Sequence, residues 1–392
     1  MTATRHLSYA SLPVPHPDPI FAILEEARRA GPAAINATIG VMMDEEGRTV
    51  LFPSVTKAIE EIGADIDGWE LSYPSLLGLE DFRFCVARLL FGSEQTMFAS
   101  IASTAGTGAV ALNLRLLKKL DDAVTVILPT PAWANHPPLC AAANIRVRAV
   151  QYLSGSGLPT MEPIALAVGE EKGPTAALLQ VGCHNPTGLD FTLDQWEDIA
   201  DLLQKHHCMP LLDCSYQGFV GEPEQDREVL EIFRRKQMHF LVAWSAAKNH
   251  SIYGLRVGLA GAVVPDDTIK ATVEGHYSAL TRGIHSAAAT IGQSIVSRVQ
   301  QKYGQEWRDD LRQARSTLER KRTLLMEALP KKFHSCLSGH GMFAMLPLSV
   351  EEITQLKREL VFMTNDGRIN IAAIPDRRIE EFAEKIETVS RL

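Results

Sequence analysis

Short apolar runs rich in β-branched residues, at 124–128, 145–151, 175–181, 210–213, 240–244 and 257–264, alternate with segments of helical length. The clearest helix spans 193–206. Its apolar positions Trp196, Ile199, Ala200 and Leu203 fall on one face, and Thr192 followed by Gln195 forms a capping-box pattern. Strand and helix in alternation predict an α/β fold with a mostly parallel sheet. Beyond about residue 289 the strand signal fades. Trp307, Leu311, Ala314, Leu318, Leu325 and Ala328 recur every three or four positions, which predicts one long amphipathic helix stopped by Pro330. Two β-like pieces, 342–346 and 368–373, precede a closing helix. The expected organisation is a large domain over 48–305 and a smaller α+β domain over 306–392, completed by an N-terminal arm over 1–47.

Of 392 residues, 46% are apolar and 22% charged, enough apolar surface to offset the entropy of ordering, which excludes a disordered chain. The net charge of −8 opposes binding to nucleic acid or anionic membranes. No apolar run reaches the roughly 18 residues that a membrane span needs. Cys85, Cys140, Cys183, Cys208, Cys214 and Cys336 form no CxxC pair, which reads as reduced thiols in a cytoplasmic protein. His206 and His207 are adjacent rather than spaced as metal ligands, so no metal site is expected. The N-terminus lacks a signal-peptide pattern. Alternating Pro13, Pro15, Pro17 and Pro19 predict an extended segment, either a frayed tail or an arm lying on a neighbour.

Four segments carry chemistry. Gly182-Cys183-His184-Asn185-Pro186-Thr187-Gly188 follows a strand and precedes the capped helix. By itself it is turn chemistry, but in open α/β sheets ligands gather at such strand ends. Asp213 directly follows an apolar run, an expensive place for a carboxylate unless it serves as a helix cap or holds a buried cation. Lys248 sits among small residues in Trp244-Ser245-Ala246-Ala247-Lys248, where an amine either faces solvent or loses its proton and becomes a nucleophile. Arg256 follows, with a fork suited to phosphate. Ser103-Thr104-Ala105-Gly106-Thr107-Gly108 opens a helix running through Leu120, whose free N–H groups favour an anion. This is not GxGxxG, so a dinucleotide fold is not supported. A phosphate, a protonatable ring nitrogen and an aldehyde together satisfy these segments, and pyridoxal phosphate carries all three.

The chain resembles the fold-type-I, pyridoxal phosphate-dependent aminotransferases of the aspartate/aromatic amino acid family. The resemblance runs from Asp18-Pro19-Ile20 through Ser72-Tyr73 and the 76–92 segment, Pro131-Ala132-Trp133-Ala134-Asn135-His136, Cys183–Gly188 with Gln195-Trp196, Asp213–Gly218, Ser245–Arg256 and Gly367-Arg368-Ile369-Asn370. It implies a parallel-sheet cofactor domain with a smaller α+β domain, and a homodimer that transfers nitrogen between an L-amino acid and a 2-oxo acid such as 2-oxoglutarate. Lys248 is implied as the Schiff-base lysine and proton shuttle, and Asp213 as the partner of the ring nitrogen, oriented by His136. Tyr216 and Asn185 are implied at the phenolic oxygen and Trp133 on the ring face. Ala105, Gly106, Thr107, Ser245 and Arg256 are implied at the phosphate, with Tyr73 reaching the other subunit's phosphate. Arg368 grips the substrate carboxylate, and Gly40, Trp133 and Asn185 line the substrate.

Two departures from the family pattern matter. Ala247 stands where a second phosphate-binding hydroxyl is common, a loss of about 1 kcal/mol. Aligned on Tyr277-Ser278, Glu274 falls at the position of the arginine for a distal carboxylate. Either Arg282 substitutes, or the preference shifts toward neutral and aromatic side chains. A β-lyase or decarboxylase on the same scaffold is the alternative reaction. A cofactor-binding DNA regulator is disfavoured by the charge and by the lack of a helix-turn-helix segment.

Overall fold

In the computed structural model, residues 19–65, 72–93 and 96–391 are described. Pro13, Pro15, Pro17 and Asp18 lie outside them. Pro19 opens a helix, α1 (Pro19–Ala30), rather than continuing an extended arm. Its fixed φ suits a first helical position, where the missing N–H costs nothing.

The main sheet has seven strands: β2 (Phe98–Thr104), β3 (Thr125–Thr130), β4 (Arg146–Gln151), β5 (Thr175–Gln180), β6 (Met209–Cys214), β7 (Phe240–Ser245) and β8 (Val257–Val263). The earlier and smaller β1 (Ile35–Asn36) pairs with β10 (Val361–Phe362), and β9 (Phe343–Met345) pairs with β11 (Arg368–Asn370). The order across the main sheet is β2-β8-β7-β6-β5-β3-β4. The pairs from β7 through β4 are parallel, while β8 runs antiparallel to both its neighbours. As a result β2, β3, β5, β6 and β7 all end on the edge where β8 begins. Helices cover the sheet: α2 (Ala105–Leu120), α3 (Leu193–Lys205), the short α4 (Ala246–Asn249) and α5 (Asp267–Arg282). α6 (Gly304–Ala328) is followed by the closing α7 (Ile379–Val389).

The sequence expected a helix opening at Ser103, but Ser103 and Thr104 complete β2 and α2 starts at Ala105. The capping box of α3 is formed: Gln195 N donates to Thr192 Oγ1 at 3.2 Å, and Thr192 N donates to Gln195 Oε1 at 2.9 Å. Apolar contacts gather into cores on the two sheet faces and a separate core around β1, β9, β11 and α7. α6 joins these cores. Its Trp307, Leu311, Ala314 and Leu318 pack into the main-sheet core, and Leu325 into the small-sheet core. All six cysteines are free thiols. Among the described residues no helix is long and apolar enough to cross a membrane.

Candidate active site

The shared strand edge opens onto a cavity of about 320 Å³. Gly40, Ala105, Gly106, Thr107, Trp133, Asn185, Asp213, Tyr216, Ser245, Lys248, Arg256 and Arg368 all line it. They arrive from several different strand ends and turns, which is why residues so far apart in sequence converge. A second chamber of about 590 Å³ shares Ile20, Phe21, Trp133, Asn185 and Arg368 with it.

Asp213 is the last but one residue of β6 and is 2% exposed. Its Oδ2 lies 3.1 Å from His136 Nε2, and Oδ1 accepts from Ser215 N at 3.2 Å and Ser215 Oγ at 2.5 Å. Burial pushes this carboxyl up, but His136, Ser215 and nearby Lys248 outweigh burial and hold it below the usual range. His136 touches Asp213 and is not among the cavity-lining residues, so it acts through the carboxylate.

Lys248, in the single turn after β7, has its Nζ 4.8 Å from the Tyr216 ring centroid. Burial pushes its pKa down to about 8, with Asp213 opposing and Arg256 reinforcing the shift. A neutral amine is therefore accessible near physiological pH, as a nucleophile requires. Tyr216 is pushed up by burial and keeps its phenolic proton.

The N-terminus of α2 forms the opposite wall. No side chain caps it, and its first turn carries Gly106 and Thr107. The unpaired N–H groups and the helix dipole present a positive edge. Arg256 lines the same wall, held by a hydrogen bond from its Nη1 to Tyr253 O at 3.0 Å. A Cβ on Gly106 would lie 2.9 Å from Ser215 Oγ and 3.2 Å from Ser245 Cβ, so a side chain there would crowd the cradle.

Arg368 opens β11 and is 5% exposed. It donates from Nη1 to Asn185 Oδ1 at 3.3 Å and from Nη2 to Thr38 O at 2.7 Å, and its guanidinium lies 4.8 Å from the Phe343 ring centroid. Its buried Nε has no partner among the described residues. A buried unpaired donor is costly, and a carboxylate is the group that would satisfy it. Gly40 faces this arginine's neighbour: a Cβ there would lie 2.7 Å from Phe343 Cζ.

Two expected site residues lie elsewhere. Tyr73 is 95% exposed and does not line the cavity of its own chain. Arg282 is exposed at the end of α5, where its Nη1 donates to Ser286 Oγ at 3.0 Å. Glu274 does not line its own chain's cavity either. Glu274 lies within the unbroken α5, pairs with Arg83 at 3.0 Å and accepts from Ser100 N at 3.3 Å, away from the cavity.

Sequence reasoning missed Gln180, Ser215, Tyr253, Phe343, Ile20, Phe21 and Val41 as lining residues. A usable signal existed for two of them. Gln180 is a polar residue ending an apolar strand, in register with Asp213, and Ser215 stands two residues after Asp213, where a hydroxyl folds back on a carboxylate.

Residues 33–386 match the family model described as aminotransferase class I and II. The chain is 30% identical over 388 residues to aspartate aminotransferase of Escherichia coli, covering 95% of this chain and 97% of that protein. It is 28% identical over 395 residues to the cytoplasmic aspartate aminotransferase of Oryza sativa, covering 96% and 97% respectively. The structure superposes with a TM-score of 0.93 on an aromatic-amino-acid aminotransferase of Burkholderia pseudomallei covalently bound to pyridoxal phosphate, at 25% identity and coverage of 98% of this chain and 100% of that one. A broad-specificity aminotransferase of Leishmania mexicana gives a TM-score of 0.94, again at 25% identity, with 98% of each chain covered.

Proposed function

The chain belongs to the class I and II aminotransferases and carries out pyridoxal phosphate-dependent transamination, and we propose that the cavity at the strand edge is where it does so. The carrying observation is that Lys248, Asp213 and the uncapped start of α2 face one cavity with Arg368. The residues fit the cofactor: the helix start, Ser245 and Arg256 for its phosphate, Asp213 for its ring nitrogen and Lys248 for its aldehyde. Bound there, pyridoxal phosphate supplies an aldehyde that takes the amino group and a protonated ring that accepts the electron pair released at the α-carbon.

The chain's own residues do the rest. Lys248 Nζ, neutral near its lowered pKa, would hold the aldehyde end of the cofactor and take and return the proton at the substrate α-carbon. Asp213, kept anionic by His136 and Ser215, holds the ring-nitrogen proton in place. Asn185 and the protonated Tyr216 would donate hydrogen bonds to the phenolic oxygen of the bound cofactor, and Trp133 would cover its ring face. Arg368 turns its unpaired Nε to the substrate carboxylate, with Gly40 leaving room for the backbone beside Phe343.

The large and small lobes divide at the 47/48 and 305/306 boundaries, and the molecule works as a cytoplasmic homodimer. Tyr73 and Arg282, both exposed and outside their own chain's cavity, serve the partner's site. Glu274 is held by Arg83 and Ser100 N, and Arg282 is the cation for a distal carboxylate, which supports dicarboxylic as well as aromatic substrates. The test is a panel of half-reactions, mixing the holoenzyme with single amino acids and following cofactor colour. Aspartate, glutamate and phenylalanine should each bleach the colour of the bound aldehyde form only when Lys248 is intact. A Lys248→Ala chain that still turns over, or release of pyruvate and ammonia without an oxo-acid acceptor, would defeat the reading.

A further inference from the structure

Beyond helping to keep Asp213 anionic, Ser215 supplies two of the three donors on the carboxylate that faces the cavity. It is 6% exposed, beside an Asp213 that is 2% exposed. Its N and Oγ both reach Oδ1, at 3.2 and 2.5 Å, while His136 Nε2 holds Oδ2 at 3.1 Å. The carboxylate of an aspartate turns easily about its last torsion, because that torsion joins sp³ to sp² carbon. The longer bonds from Ser215 N and His136 Nε2, at 3.2 and 3.1 Å, leave the carboxylate some tilt, and the shorter bond from Ser215 Oγ, at 2.5 Å, adds the third point that fixes its plane. The hydroxyl is itself confined, since the backbone of Gly106 approaches so closely that a Cβ there would sit 2.9 Å from Oγ.

An ionised carboxylate offers about four acceptor positions. Three are taken by Ser215 and His136, and Asp213 lines the cavity, so the fourth opens onto it. We propose that Ser215 is a positioning residue: its hydroxyl fixes the plane of the Asp213 carboxylate so that the one remaining acceptor position meets the ring nitrogen of pyridoxal phosphate. This inference rests on the cofactor reading above. The hydroxyl acts in two ways. It aims the acceptor, and by donating to the anion it keeps Asp213 ionised at lower pH.

The experiment compares two ligands on the full-length apo-protein, unmodified and Ser215→Ala. One ligand is pyridoxal phosphate. The other is its 1-deaza analogue, in which C–H replaces the ring nitrogen. Dissociation constants come from titration of tryptophan fluorescence, with no turnover involved. Removing the hydroxyl should weaken pyridoxal phosphate about fivefold, the scale of one hydrogen bond, and leave the deaza analogue unchanged. The acid limb of pyridoxal phosphate binding should also move to higher pH in the variant, because its Asp213 takes a proton sooner, with no matching movement for the analogue. A generally loosened site would weaken both ligands equally. Equal weakening, no change, or tighter binding of pyridoxal phosphate overturns the inference while leaving the cofactor reading intact. An unmodified chain that takes up neither ligand overturns both.

Discussion

Lys248 shows how a fold turns an ordinary side chain into a reagent. An ammonium loses hydration on burial, so the neutral form is favoured, and pKa falls from 10.5 to about 8. Only the neutral amine attacks an aldehyde. The rate at which the apo-protein takes up pyridoxal phosphate should therefore rise close to tenfold per pH unit below about 8 and flatten above it, read as growth of the absorbance of the bound cofactor. A rate still climbing in proportion to hydroxide through about pH 10 would show that the lysine keeps its solution pKa. Asp213 was legible in the sequence because a carboxylate after an apolar run is costly without a purpose, and Lys248 and Arg256 as an amine among small residues followed by a phosphate-matching fork, whereas the roles of Asn185 and Arg368 were legible only through the family resemblance. Ser215, Gln180 and Tyr253 were not, since small polar groups and tyrosines are common in turns. Their meaning lies in contacts across strands, such as Gln180 opposite Asp213, and in the turn back from Ser215 to Oδ1. Glu274 is tied to Arg83 and Ser100 N from the middle of α5, contacts between distant elements that its place in the sequence does not show.

At the scale of elements, the six apolar runs became β3 to β8, and the capped helix formed as its sequence demanded. The missing strand is β2, Phe98-Ala99-Ser100-Ile101-Ala102-Ser103-Thr104. Its alanines and serines give little hydrophobic signal, and burial comes from tertiary cover: α5 lies against it and β8 pairs along its full length. A strand without bulky residues is visible only once its neighbours are placed. The start of α2 was misread for the same reason, because Ser103 and Thr104 suit a helix cap in isolation but pair with Gly258 and Val257 in the sheet. Local signals that act within four residues fare better. Thr192→Ala removes the hydroxyl that accepts from Gln195 N, in a helix that follows the Asn185 loop. It should cost about 1 kcal/mol, lowering the urea midpoint of the apo-protein while the saturated turnover rate stays unchanged. An unmoved midpoint would mean that tertiary packing alone, through Trp196, Ile199 and Leu203, holds the helix start.

At the scale of the whole molecule, the described chain contains most of a catalytic site and leaves two of its expected members on the outside. Tyr73 stands 95% exposed, and Ile284, two residues past Arg282, is 53% exposed. An aromatic and an isoleucine in water are unremarkable singly, but with Arg282 exposed and donating to Ser286 Oγ they suit a surface shared between two copies. If each cavity borrows Arg282 from its partner, two crippled chains should repair one another. A Lys248→Ala homodimer has no nucleophile in either cavity. An Arg282→Ala homodimer has the nucleophile in both but no cation for a distal carboxylate. In a hybrid, the Arg282→Ala chain keeps its own Lys248 and receives the intact Arg282 of the other, so one of its two cavities is whole. Random exchange makes about half the dimers hybrid, which predicts recovery of about a quarter of the unmodified activity toward aspartate. Activity toward phenylalanine should show no such recovery, because the Arg282→Ala homodimer never loses it. Mixing that restores nothing for aspartate would place Arg282 outside the partner's cavity and leave each site to bind its substrate with residues of a single chain.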